Sequence, residues 1–218
     1  MKVIITGSTG MVGEGVLHEC LNHPAIEKVL ILNRRTYGMS HPKLMEVLHN
    51  NFYDLSPVAE NLKRFDACFF CLGVSSVGMK EKDYYKVTYE LTTHVAETLV
   101  RQNSGMVFTY VSGAATDSSE KGRVMWARVK GKTENHLLRL PYKATYMFRP
   151  GYIHPTKGLK NVLKLYRVFG WLYPLWKIIF PKYVCTLREV GLAMINCATK
   201  GYSKSILEVR DIVQAAKM

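Results

Sequence analysis

Residues 2 to 13 read Lys-Val-Ile-Ile-Thr-Gly-Ser-Thr-Gly-Met-Val-Gly, and this segment constrains the fold more than any other. Val3-Ile4-Ile5 is a short apolar run that suits a strand buried on both faces. Gly7, Gly10 and Gly13 follow at three-residue spacing, and a helical pattern runs over residues 12–21. Strand, glycine loop and helix in this order form the anion-binding turn of a dinucleotide-binding unit. Gly7 permits the tight turn out of the strand. Gly10 removes a side chain where a pyrophosphate approaches the backbone. Gly13 lets the helix pack close to the sheet. The open amides and the dipole at the helix start then hold the anion, with Ser8, Thr9, Met11 and Val12 completing the cradle.

The rest of the chain repeats this rhythm. Residues 28–32, 47–52, 66–71, 106–111, 144–148 and 205–209 read as strands. Amphipathic segments at 57–64, 82–102, 124–140 and 187–199, and a terminal helix at 211–217, alternate with them. The expected fold is α/β: a Rossmann-type doubly wound parallel sheet with a small C-terminal lid region, one domain over residues 1–218. The five cysteines are an odd, scattered set, which argues against a disulfide framework. Cys68 and Cys71 form a CxxC on a predicted strand, where odd spacing points them to opposite faces, as in a core rather than a redox pair. The first residues already read as a strand, so no signal peptide is expected and the chain is assigned to the cytoplasm. The histidines have no metal-ligand spacing, and no metal is expected.

The end of the second predicted strand discriminates between cofactors. An acid there grips the ribose 2′-hydroxyl of NAD, about 20 residues past the fingerprint. This chain has Asn33, followed by Arg34 and Arg35. A carboxylate repels a 2′-phosphate, whereas a guanidinium pairs with one bidentately. The expected cofactor is therefore NADP(H).

Residues 6–13, Leu32-Asn-Arg-Arg35, Cys71-Leu-Gly73, Val111-Ser112-Gly-Ala and Arg149-Pro-Gly151 occur in order over nearly the whole length. With these motifs the chain resembles the atypical short-chain dehydrogenase/reductases. It is most similar to the Tat-interacting-protein-like branch and, more distantly, to the NmrA-like NADP binders. The resemblance implies that Gly7, Gly10, Met11, Val12 and Gly13 hold pyrophosphate and that Arg34 and Arg35 take the 2′-phosphate. It also implies that Asp54 and Leu55 border the adenine, that Leu72 and Gly73 line the ribose, with Cys71 before them also in the cofactor site, and that Pro150, Gly151 and Tyr152 flank the nicotinamide. Homodimer pairing through the helices at 82–102 and 124–140 belongs to the same resemblance.

The catalytic set departs from that pattern. The family uses a Ser after strand five and Tyr-x-x-x-Lys on the next helix. Ser112 and Lys130 stand in those places, but Trp126 replaces the tyrosine. A lysine one turn away lowers a phenol's pKa so that it can exchange a proton with a carbonyl or alcohol. An indole N–H donates a hydrogen bond but does not titrate in this range. Tyr84, Tyr85, Tyr89 and Tyr152 are spare phenols near the rim, and the sequence does not choose among them.

Charge is the remaining feature. The formal net charge is +13, and no acidic residue occurs between Glu134 and Glu189. Residues 152–186 interleave Lys160, Lys164, Arg167, Lys177 and Lys182 with Tyr166, Phe169, Trp171, Tyr173, Trp176 and Phe180. The longest uncharged stretch there, residues 168–176, is far shorter than the ~20 residues that span a bilayer. Three readings stand: a lid over an apolar substrate, a basic aromatic surface in peripheral contact with anionic membrane, or a nucleic-acid surface. The lid is favoured because the segment follows the sixth strand, and nucleic acid is not expected because no binding motif accompanies the charge. Two functions remain open. One is an NADPH-dependent oxidoreductase reducing an apolar, carbonyl-like small molecule; the other is a regulatory, redox-sensing or assembly protein that binds NADPH with little turnover.

Overall fold

The computed structural model describes residues 1–161 and 173–218. The first half contains β1 (Lys2–Thr6), α1 (Met11–Asn22), β2 (Lys28–Asn33), β3 (Leu44–Leu48), a 3-10 turn (Ser56–Val58), α2 (Ala59–Leu62) and β4 (Ala67–Phe70). Next come α3 (Glu81–Tyr85), a π-turn (Lys86–Glu90), α4 (Leu91–Gln102), β5 (Val107–Val111), α5 (Met125–Leu137) and β6 (Ala144–Arg149). The chain ends with β7 (Tyr152–His154), α6 (Tyr173–Ile179), β8 (Val184–Thr186), α7 (Leu187–Lys200), β9 (Ile206–Glu208) and α8 (Val209–Ala215).

Seven strands form one parallel sheet in the order β3-β2-β1-β4-β5-β6-β9. Helices cover both faces, because the central strands are apolar on both. Val3, Ile5, Val29, Ile31 and Phe69 bury with α1, α7 and α8 on one side. Ile4, Leu30, Cys68, Phe70 and Phe108 bury with α2, α4 and α5 on the other. This is the expected doubly wound Rossmann arrangement. The strand order reverses between β1 and β4, which opens a crevice at their carboxyl ends.

Two features depart from the sequence expectation. The third strand lies at 44–48 rather than 47–52. It is the sheet edge and only half-buried, so it needs no continuous apolar run and carries Glu46 in its middle, while Phe52 plugs the core from the following loop. A second, two-stranded parallel sheet, β7 with β8, was not expected; each strand has three residues, too few to show a period. Of the basic aromatic segment, Lys164, Tyr166, Arg167, Phe169 and Trp171 lie outside the described residues.

Candidate cofactor cleft and its chemical end

A cleft of about 590 Å³ opens at the strand reversal. The ends of three strands supply its walls: Gly7, Thr9 and Gly10 after β1, Leu32 to Arg35 at the end of β2, and Cys71 to Val74 after β4. Asn50 and Phe52 close the side next to β3.

The three fingerprint glycines answer to different constraints. Gly7 has φ +71°, and a Cβ there would sit 2.7 Å from the Leu72 backbone. A Cβ on Gly13 would lie 2.1 Å from the Gly7 carbonyl oxygen. The fold itself therefore requires both glycines. At Gly10 the nearest atom to a Cβ is the Gly7 oxygen at 3.4 Å, an ordinary contact, and the residue is exposed on the cleft. Packing does not explain Gly10, but close approach of an anion does. The first helical hydrogen bond of α1 runs from Glu14 N–H to Gly10 O, so the Met11, Val12 and Gly13 amides precede the ladder. This cradle fits a dinucleotide pyrophosphate. Ser8 is buried behind it and donates its hydroxyl to Asn33 Oδ1 at 2.9 Å.

Asn33 is also buried, and its amide donates to Glu46 at 3.1 Å. Arg34 and Arg35 are exposed on the cleft, and neither has a carboxylate partner among the described residues. Asp54 and Leu55, which the resemblance placed at the adenine, are not among the residues that line the cleft. The Asp54 carboxylate accepts from the Ser56 N–H at 3.0 Å and hydroxyl at 2.6 Å, and Leu55 is 1% exposed in the core. Asn50 and Phe52 line the cleft on that side, because β3 ends earlier than expected.

At the β5–β6 end the polar groups bond to each other. The buried Ser112 hydroxyl lies 2.5 Å from Glu134 Oε1 and 3.1 Å from the Phe148 carbonyl oxygen; its one proton goes to the nearer, anionic acceptor. Glu134 is 0% exposed and receives Arg149 Nε at 3.1 and 3.2 Å, and Arg149 Nη2 as well. Arg149 also donates to the Ser118 hydroxyl at 2.6 Å and to Glu208 at 3.3 Å. Lys130, one helical turn before Glu134, donates to the Ser112 carbonyl oxygen and lies 3.5 Å from that of Val111. Burial pushes its ammonium down to about 8, against the pull of Glu134. Trp126 is half-buried, and its ring edge and the Pro150 oxygen each lie 4.0 Å from where a Gly113 Cβ would be. Ser112, Lys130, Trp126 and Pro150 thus gather at one place, with the serine proton turned inward. Glu134 was missed in the sequence; its position four residues after Lys130 on the inward face of α5 was the available signal.

Beyond Pro150, Tyr152 N–H donates to the Tyr183 oxygen at 2.8 Å, and a Cβ on Gly151 would lie 2.3 Å from that oxygen. Tyr152 and His154 share a face of β7 and meet α6. Tyr152 packs edge-on to Trp176 at 5.0 Å, and His154 stacks on Tyr173 at 4.0 Å. Trp176 and Tyr173 of the basic segment therefore cover β7. Among the described residues no helix is long and apolar enough to cross a membrane.

The profile of the NAD dependent epimerase/dehydratase family matches residues 3–124, more than half of the chain, and the chain belongs to that family. "Protein FMP52-1, mitochondrial" of Scheffersomyces stipitis is 23% identical over 212 residues, covering 94% of this chain and 91% of the relative. "Protein FMP52, mitochondrial" of Candida albicans is 24% identical, covering 92% and 89%. The mitochondrial names of these relatives overturn the expectation of a cytoplasmic location. Among solved structures, MoeE5 in complex with UDP-glucose and NAD superposes with a TM-score of 0.68 at 14% identity, covering 100% of this chain and 81% of that one. Helicobacter pylori ADP-L-glycero-D-manno-heptose-6-epimerase gives 0.67 at 15% identity, covering 99% and 81%. At this identity the structures establish the Rossmann fold.

Proposed function

We propose that this member of the NAD dependent epimerase/dehydratase family binds NADP(H) and slowly reduces an apolar, carbonyl-like compound. One observation carries the cofactor choice: Arg34 and Arg35 stand on the cleft without carboxylate partners among the described residues, after a strand that ends in Asn33. The guanidiniums match a 2′-phosphate in charge and geometry. The motif likeness to the Tat-interacting-protein-like and NmrA-like branches supports the same choice.

When bound, NADPH supplies the hydride. The chain's own residues bind and orient: the Gly7–Gly10 turn and the amides of Met11 to Gly13 take the pyrophosphate, and Leu72 and Gly73 border the ribose. Lys130, Pro150, Gly151 and Tyr152 take the nicotinamide side. Val74, exposed after β4, gives the cleft an apolar rim residue. Slowness follows from the proton supply. Ser112 donates into Glu134, and Trp126 has no titratable proton. A missing general acid costs about 10²- to 10⁴-fold in rate.

The inward Ser112 proton favours a second reading, an NADP(H)-binding regulatory protein with little turnover. Oxidation of NADPH over a panel of apolar aldehydes, ketones and quinones separates the two. Slow, substrate-dependent oxidation supports the reductase. NADPH binding with no oxidation across the panel leaves the regulatory reading.

The relatives' names support a mitochondrial place of action. Exposed Ile179, Phe180 and Tyr183, beside Lys177 and Lys182, support peripheral contact with anionic membrane. Pairing of two copies through α4 and α5 rests on the family resemblance alone.

A further inference from the structure

Glu46 does not line the cleft, yet it holds both ends of the turn that does. Its Oε1 accepts from Asn33 Nδ2 at 3.1 Å and from the Tyr37 backbone N–H at 2.8 Å, and its Oε2 accepts from the Thr36 hydroxyl at 2.8 Å. Asn33 immediately precedes the Arg34–Arg35 pair, and Thr36 and Tyr37 immediately follow it. The Asn33 side chain continues the connection to the Ser8 hydroxyl, inside the glycine loop. The Tyr37 hydroxyl lies 3.3 Å from Glu14, in the first turn of α1. One carboxylate on an edge strand thus ties the arginine turn to the pyrophosphate cradle.

We propose that Glu46 is the positioning residue that gives Arg34 and Arg35 their selectivity for a 2′-phosphate; this rests on the NADP(H) reading above. Both arginines are exposed and lack carboxylate partners among the described residues, so nothing at the guanidinium ends fixes them. Their aim comes from the backbone, and the backbone between Asn33 and Thr36 is pinned at both ends by Glu46. A long cation on an ordered turn loses less freedom on meeting an anion than one on a loose loop. Burial opposes the charge of Glu46, but the Tyr37 N–H, the Asn33 amide and the Thr36 hydroxyl outweigh it and hold the carboxyl below its ordinary range. With three donors bound to it, Glu46 is an acceptor at neutral pH, and its negative charge is largely answered locally. A carboxylate bound to the residues on both sides of the arginine pair is therefore compatible with NADP(H), provided that it stays in this network.

The test is the dissociation constants of NADPH and NADH for the wild type, Glu46→Ala and Glu46→Gln, measured by calorimetry, with thermal melts to establish that each variant is folded. Glu46→Ala should weaken NADPH by about tenfold and leave NADH within about twofold, since the loss falls on charge-assisted contacts to the phosphate alone. Glu46→Gln keeps one acceptor oxygen and should fall between. If NADPH and NADH weaken together, Glu46 supports the whole cleft and the inference is overturned. Tighter NADPH binding by Glu46→Ala means that the carboxylate repels the phosphate, which overturns it equally. A wild type without NADPH preference defeats the NADP(H) reading itself, a failure visible before any variant is made.

Discussion

At the β1–β2 end of the cleft, Arg34 and Arg35 have no carboxylate partners among the described residues and Gly10 has room for a side chain that it lacks. At the β5–β6 end, Ser112, Glu134, Arg149 and Ser118 bond to one another, and Lys130 bonds to the backbone. Both ends are rich in polar groups of the kinds that the resemblance names. They differ in whether the protein has already satisfied those groups. A buried carboxylate must be paired to exist there at all, so Glu134 accepts hydrogen bonds from the Ser112 hydroxyl and the Arg149 guanidinium, and the strand ends are locked together. Exposed guanidiniums need no such partner and remain available to a ligand. Polar residue type alone therefore does not identify a site; the uncommitted donor does.

The largest effect should come from breaking the satisfied end. Glu134→Ala leaves Arg149 buried without its main partner and should cost about 3–5 kcal/mol of stability in urea denaturation. Glu134→Gln, which still accepts from Ser112, should cost less. A cost below about 1 kcal/mol for Glu134→Ala would erase the contrast, since exposed ion pairs are worth that little.

At the open end, Arg34→Ala should weaken NADPH by about 2 kcal/mol, the value of a hydrogen bond to a charged group, and leave NADH and stability nearly unchanged. Equal losses for both cofactors would mean that Arg34 supports the fold, as Arg149 does.

Trp126→Tyr sharpens the comparison by adding an uncommitted acid to the committed end. A phenol one turn before Lys130 should raise NADPH oxidation by roughly tenfold to a hundredfold, at or below the lower limit of what a general acid contributes, because Ser112 stays turned inward. An unchanged rate, with another tyrosine variant abolishing activity, places the acid elsewhere.

Lys130 gives the smallest effect. Its pKa falls from 10.5 to about 8 in the folded chain, so between these values the unfolded chain binds more protons. Stability due to this group therefore rises with pH through that window and is at its lowest below about 8. Relative to Lys130→Met, the wild type should gain roughly 1 kcal/mol between pH 7.5 and 9 in paired urea titrations. A difference independent of pH would show an ammonium that is not desolvated. The comparison with Lys130→Met cancels the opposite trend from cysteines such as Cys71, whose thiol burial raises to about 12.

How much of this was legible in the sequence follows the range of the interactions. The β1 strand, the glycine turn and α1 were readable because Val3-Ile4-Ile5 and the three glycines act within a dozen residues. The strand at Leu44–Leu48 was not, because an edge strand shows no apolar run, and with that shift Asp54 and Leu55 fall off the cleft lining. The β7–β8 sheet pairs residues about 30 apart in strands too short for a pattern. The Ser112–Glu134 and Asn33–Glu46 contacts join residues 22 and 13 apart. Residue type placed serine, lysine and arginine at the site, but not which of them the protein had already bonded.

On the proposed reading, the β1–β2 end of the cleft receives a 2′-phosphorylated dinucleotide. Calorimetric titration of the wild-type chain with NADPH and with NADH at low salt tests it most directly. NADPH should bind at least about tenfold tighter, the margin expected of uncommitted guanidiniums meeting a phosphate. Equal affinity for the two would contradict it.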